Sequence, residues 1–212
     1  MTDKKTHIDK GVRKYLEIPN MYNGFQNLIG SPNHRKEHYT EHFNLPSTYK
    51  VLDIGCGTGA LMDYLPKGIE YHGFDMEQSY IDFANENYGD RGTFYCERVG
   101  ETIYPKWEGY FDAINANALI HHLTDEDTLF LFEVGHRYLK KGGFLITLDS
   151  VFHEKQSKIS KWLVSRDRGQ NVRTPEQYMA LANKYFEKVE SKLKTDHLRI
   201  PYSVFMMKMY KG

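Results

Sequence analysis

From residue 49 onward, short apolar runs alternate with stretches whose apolar residues recur at helical spacing. "KVLDIG", "YHGFD", "TFYCE", "YFDAINA" and "FLITLD" read as five strands. Between them Ala60–Leu65, Ser79–Tyr88 and Asp125–Lys140 read as helices; the last has Leu129, Phe132 and Leu139 on its stripe and Gly142–Gly143 as its stop. Strands that alternate with helices predict an α/β fold, a mostly parallel sheet with helices on both faces.

After Asp149 the pattern changes. "KISKWLVSRDRGQNV" reads as a helix running into a polar loop. "TPEQYMALANKYF" opens on Thr174 as cap, Pro175 in the first turn and Gln177 completing a capping box. "KVESKLK" and "YSVFMMKMY" are two late strands whose short connection, containing Pro201, favours an antiparallel pair. The sheet should therefore end in a reversed strand. Residues 1–48 stand outside the alternation, with aromatic residues at Tyr15, Tyr22 and Phe25 and a helix candidate after Ser31–Pro32. They read as an N-terminal helical cap over the ligand edge of a domain formed by 49–212, the two making one folding unit.

Composition narrows the function. A chain of 212 residues suits one domain with a sizeable core. Its 28 basic and 28 acidic residues balance, so no global field draws it to nucleic acid or an anionic membrane. No apolar run reaches bilayer length, and the opening "MTDKKTHIDKGVRK" lacks the apolar core of a signal peptide. Cys56 and Cys96 suggest reduced thiols, so a cytoplasmic protein is expected. The sequence carries no sign of an oligomeric state.

The chemistry centres on "VLDIGCGTGAL". Its spacing, Gly55, Gly57, Gly59 around Cys56, differs from the G-x-G-x-x-G of dinucleotide folds, and it lacks the G-K-[ST] ending of a phosphate loop. Asp53, two residues before the first glycine, would repel a phosphate and favour an ammonium or sulfonium group. Asp75 ends the second strand twenty-two positions later, where an acid binds ribose hydroxyls, and Met76 beside it can pack on a purine. A ribose, a base and a cationic end together describe S-adenosylmethionine.

With "GFDMEQSYI", "FDAINANALIHHLTDED" and "LKKGGFLITLDS" following in order, residues 49–150 resemble the class I S-adenosylmethionine-dependent methyltransferases of the small-molecule type, here with a paired-histidine loop. The resemblance implies a Rossmann-like seven-stranded sheet with the last strand antiparallel. It implies that Asp53 and the Gly55–Gly59 turn contact the methionine part, that Asp75 binds the ribose, and that Asn117 lies beside the methyl group. An acidic residue often follows the third strand and accepts from the adenine amino group. Here Arg98 stands in that slot, leaving Glu97 as the candidate and the Val99 N–H as a further donor to the ring.

"LIHHLTD" places His121 and His122 just after the fourth strand, at the carboxyl edge. Adjacent side chains point apart, so one of the two would face the acceptor. Asp149, ending the fifth strand, could orient that imidazole, giving a general base for a hydroxyl acceptor. The alternative is a histidine that merely ties down the loop. Arg166, Arg168 and Arg173 in "SRDRGQNVRT" could recognise an anionic acceptor in two-pronged fashion, or pair with Asp167 in a solvated loop. Tyr22, Phe25 and Tyr202 could wall the acceptor pocket. His34, His38 and His42 recur every fourth position, but no acidic or cysteine partner is positioned near them, so no metal site is expected.

The expected function is methyl transfer from S-adenosylmethionine to a small molecule at oxygen: a sugar, a polysaccharide precursor, a natural product or a quinone-like phenol. An RNA or protein methyltransferase is one rival, disfavoured by the even charge and by "NANALIHH" standing where an N-P-P-Y-type segment would be. A regulatory protein that binds the cofactor without catalysis is the other.

Overall fold

The computed structural model describes residues 31–43, 45–102, 104–166, 170–195 and 201–212. Among them, seven strands form one sheet: β1 Lys50–Ile54, β2 Glu70–Asp75, β3 Thr93–Cys96, β4 Phe111–Asn115, β5 Leu139–Ser150, β6 Lys188–Lys194 and β7 Val204–Tyr210. Their order is β3-β2-β1-β4-β5-β7-β6. The first five are mutually parallel, and β7 runs antiparallel to both β5 and β6. The reversed last strand is therefore present, slotted between the fifth and sixth.

The α-helices among the described residues are α1 Ser31–His42, α2 Gln78–Tyr88, α3 Asp125–Tyr138, α4 Lys158–Ser165 and α5 Pro175–Ala182. α5 starts with the expected box, Thr174 Oγ1 accepting from Gln177 N while Gln177 Oε1 accepts from Thr174 N. α3 is capped by Thr124, with Asp125, Glu126 and Asp127 in its first turn and His136 and Arg137 in its last, as the helix dipole favours. It lies close on the sheet because Gly135 has no Cβ; one placed there would stand 2.6 Å from Leu145 Cδ1.

Two boundaries differ from the sequence reading. Ala60–Leu65 is not an α-helix but one 3₁₀ turn, Ala60–Asp63. The helix expected to reach Lys140 stops at Tyr138, and Leu139 begins β5. Leu139 is fully buried opposite Phe111, after which the register jumps to Ala113 opposite Phe144, with Gly142 at φ 78° in the interruption. A buried leucine at helical spacing fits the end of a helix as well as the start of a strand. Periodicity could not separate them.

Apolar residues on the two faces of the sheet enter two clusters. Along β5, Leu145 joins the cluster around Trp107, Phe132 and Phe186, while Phe144 and Ile146 join the one around Phe43, Tyr71 and Phe94. α1, the described helix of the expected cap, belongs with the second cluster. Phe43, just after it, packs edge-on to Phe144 with ring centroids 5.6 Å apart, and Tyr39 meets Tyr64 at 5.2 Å. Glu41 pairs with Lys192 and Lys194, and Lys208 Nζ donates to His42 O at the helix's C-terminus.

Candidate active site

The carboxyl ends of β1, β2, β4 and β5 meet at one edge of the sheet, where ligands of open α/β folds bind. There Gly55 N and Cys56 N both donate to Phe74 O, at 2.8 and 2.9 Å, stitching the glycine turn to β2. Gly55, Gly57 and Gly59 all take positive φ, a backbone conformation that side chains rarely tolerate. A Cβ at Gly59 would press on Tyr88, Phe94 and Ala84, whereas one at Gly57 would meet nothing within 4 Å. Gly57 therefore faces open space. The short 3₁₀ turn that follows offers no extended helix dipole to a phosphate.

Beneath the turn lies Asp53, only 2% exposed. Tyr71 Oη donates to its Oδ2 at 2.6 Å and Asn115 Nδ2 to its Oδ1 at 2.7 Å. Burial pushes its pKa up to about 6 against the pull of these two hydrogen bonds, with the Asp75 charge adding to the rise. Both partners are neutral, so the carboxylate is hydrogen-bonded without being neutralised. Such a site suits a cationic ligand. Tyr71 and Asn115 were not foreseen; the only signal in the sequence is a polar residue ending the buried run "FDAIN", which the register sets beside Asp53.

Asp75 accepts from Gly57 N through Oδ2 and from Glu77 N through Oδ1, both at 2.9 Å. A carboxylate has about four acceptor positions, which leaves room for sugar hydroxyls. Met76 beside it is 74% exposed, an unusual place for a large apolar side chain without a ligand to cover it. The Cys56 thiol is buried and pushed well above its usual pKa by desolvation, so it is unreactive. Glu97 accepts from Tyr104 Oη at 2.6 Å and Thr102 Oγ1 at 3.2 Å, while Arg98 turns away to Asp127 at 2.6 Å.

On the acceptor side, His121 Nδ1 and Asp149 Oδ1 stand 2.7 Å apart, both nearly fully buried, and the His121 N–H also donates to that oxygen. Asp149 Oδ2 is buried without a hydrogen-bond partner among the described residues. His122 is exposed, its ring centroid 4.1 Å from that of His121. Asn117 Nδ2 donates to His38 Nε2 at 3.1 Å, joining α1 to the loop after β4. In that loop Ala118 is the one described non-glycine residue with positive φ (54°), a strain typical of functional sites that its identity did not announce. The side chain of His34 lies outside the described residues. Among those described, no group of three histidine, cysteine or acidic side chains could hold a metal.

The other expected acceptor residues fare differently. Tyr202 Oη lies 2.6 Å from Ser150 Oγ, next to the end of β5. Arg166 is exposed, with its guanidinium 5.5 Å from the Trp162 ring centre. Tyr22, Phe25 and Arg168 lie outside the described residues. Arg173 is the correction: it is buried, and its donors go to Asp125 Oδ1, Ile120 O, Asn171 O, Leu123 O and Thr128 Oγ1. A guanidinium has five N–H donors, so none remains for an anionic acceptor.

A Rossmann-like sheet whose edge combines an un-neutralised carboxylate, a glycine turn and a second acid at the next strand's end suits a cationic nucleoside ligand. The family described as "Methyltransferase domain" matches residues 51–143. Phosphoethanolamine N-methyltransferase of Plasmodium falciparum is 31% identical over 110 residues, 51% of this chain and 41% of that protein. Ubiquinone biosynthesis O-methyltransferase of Pseudomonas aeruginosa is 30% identical over 105 residues, 47% of this chain and 44% of that one. The chain thus spans less than half the length of these curated relatives. Among solved structures, Haemonchus contortus phosphoethanolamine N-methyltransferase 2, in complex with phosphomonomethylethanolamine and S-adenosylhomocysteine, superposes with a TM-score of 0.72 at 18% identity. It covers 95% of this chain and 59% of its own. Residues 51–143 thus match a methyltransferase domain, and the fold is shared with a methyltransferase solved in complex with S-adenosylhomocysteine. Among the described residues no helix is long and apolar enough to cross a membrane.

Proposed function

We propose that the protein methylates a small-molecule acceptor at oxygen, with His121 as general base and Asp149 as the group that orients it. The observation that carries this reading is the buried 2.7 Å contact between His121 Nδ1 and Asp149 Oδ1 at the sheet's carboxyl edge. With the Nδ1 proton held by Asp149, Nε2 is the basic nitrogen of the ring. Bound there, S-adenosylmethionine would supply a methyl group made electrophilic by its sulfonium, which would leave as S-adenosylhomocysteine when the acceptor oxygen bonds to that carbon. His121 Nε2 would take up the proton that the acceptor hydroxyl loses. A base of this kind is worth about 10²–10⁴ in rate.

In the same reading Asp53 and the glycine turn hold the methionine end, and Asp75 holds the ribose. Met76 covers the adenine, Glu97 or the Val99 N–H addresses its edge, and Asn117 borders the methyl group. Tyr202 and Arg166 border the acceptor. The proposed unit is a domain over 49–212 with residues 1–48 as its cap, working in the cytoplasm.

N-methylation of a phosphorylated amino alcohol is a second reading, favoured by the phosphoethanolamine enzymes among the relatives. The ammonium group of an amino alcohol must also lose a proton, so the acceptor that is methylated separates the two readings and the variant tests the base. Candidate sugars, phenols and amino alcohol phosphates are screened for S-adenosylhomocysteine release by the wild-type chain and by His121→Ala. Oxygen transfer predicts turnover lowered about 10²-fold or more in the variant, with cofactor affinity near normal. Equal turnover by both proteins would overturn the base assignment. Cofactor binding with no release from any acceptor would favour a non-catalytic protein.

A further inference from the structure

We infer that Arg173 is the positioning residue of the His121–Asp149 pair, fixing both halves of it at once. The assignment rests on the catalytic reading above for its consequence, but its geometry stands apart from it. The residues of the histidine turn present four successive backbone carbonyls, those of Ile120, His121, His122 and Leu123. Each accepts a hydrogen bond from one short segment. Arg173 Nη1 donates to Ile120 O at 2.9 Å and Arg173 Nη2 to Leu123 O at 2.7 Å. Asn171 N donates to His121 O at 3.0 Å and Asn171 Nδ2 to His122 O at 3.2 Å. Within the turn Leu123 N reaches Ile120 O at 3.2 Å, whereas the carbonyls of His121, His122 and Leu123 take their donors from Asn171 and Arg173.

The same segment grips the other half of the pair. Arg173 O accepts from Phe152 N at 3.1 Å, and Val151 and Arg173 form a parallel bridge just beyond Asp149 and Ser150. The guanidinium lies 5.6 Å from the Tyr178 ring centre, and Tyr178 Oη donates to Ser150 O at 2.9 Å. Burial, reinforced by the Asp149 charge, pushes that hydroxyl well above its usual pKa, so it remains a donor. Asp125 supplies the counter-charge to Arg173 at 2.8 Å. One buried side chain and its own main chain thus set the distance between the strand bearing the carboxylate and the turn bearing the imidazole. Lysine keeps the charge but, as a point donor, cannot span two carbonyls and a carboxylate in one plane.

The test compares the full chain with Arg173→Lys and, as a milder change, Asn171→Ala. With a working acceptor, Arg173→Lys should lower kcat about tenfold or more, displace the acid limb of the pH–rate profile, and leave S-adenosylhomocysteine affinity within about twofold. The low-field proton resonance of the His121 N–H, assigned by its loss in His121→Asn, should shift or broaden in both variants. A folded Arg173→Lys with wild-type turnover and an unmoved resonance would overturn the inference. So would a loss of turnover and cofactor binding in parallel, which marks a purely structural role. If Arg173→Lys does not fold, an unchanged resonance and turnover in Asn171→Ala would overturn it instead. Should no acceptor be found, the functional reading fails while the resonance still tests the clamp.

Discussion

Asp53 carries the most information per atom. Burial lifts its pKa from 3.8 to about 6 in the cofactor-free fold, so the folded chain binds that proton more tightly than the unfolded one. The stability from this group is present in acid and lost as pH rises through about 6. Above that, the ionised group costs the empty fold up to about 3 kcal/mol. A cation beside it reverses the balance. Two outcomes are expected. Relative to Asp53→Asn, the melting temperature of the cofactor-free wild-type protein should gain on a move from pH 7.5 to 5.5, a comparison that cancels the opposing loss from His42, His72 and His136, whose pKa values burial lowers. S-adenosylmethionine affinity, measured by calorimetry, should weaken by up to about tenfold per pH unit below about 6. A flat affinity between pH 5 and 8 would remove Asp53 from the cation site. Its position two residues before Gly55 made it legible in the sequence. Its partners Tyr71 and Asn115 come from neighbouring strands, and only register reveals them.

Among the elements, the glycine turn was readable because its spacing has a backbone cause, three residues in left-handed conformation. Its sequel was not. Ala60–Asp63 is a 3₁₀ turn where apolar spacing suggested a longer helix, and six residues are too few for periodicity to decide. The turn also separates stability from binding. A methyl group at Gly57 meets no protein atom within 4 Å, so Gly57→Ala bears chiefly the left-handed strain of about 1–2 kcal/mol. It should nevertheless lower cofactor affinity about tenfold or more, because the methyl group projects where the ligand must approach. A Gly57→Ala protein that binds S-adenosylhomocysteine as tightly as wild type would show that the cofactor does not cross this turn. The loop after α4 taught the opposite lesson. Its arginines suggested anion recognition, yet Arg173 is spent on the histidine turn, a long-range use that composition cannot distinguish from a free guanidinium.

At the scale of the molecule, strand order does what no motif does alone. Residues from 53 to 149 in the chain meet at one edge because β1, β4 and β5 are parallel neighbours. The alternation of runs made the parallel sheet legible, and the short link before β7 made its reversal so. The aromatic residues of the expected cap, Tyr15, Tyr22 and Phe25, lie outside the described residues. Among the described residues, α1 reaches the edge through the His38–Asn117 contact.

Calorimetric titration of the wild-type chain and of Asp75→Ala with S-adenosylhomocysteine, against nicotinamide dinucleotide as control, tests the central claim most directly. Saturable binding of S-adenosylhomocysteine alone, weakened about tenfold or more in Asp75→Ala by loss of the ribose acceptors, is the predicted result. Retention of the dinucleotide alone, or equal affinity in both proteins, would contradict it.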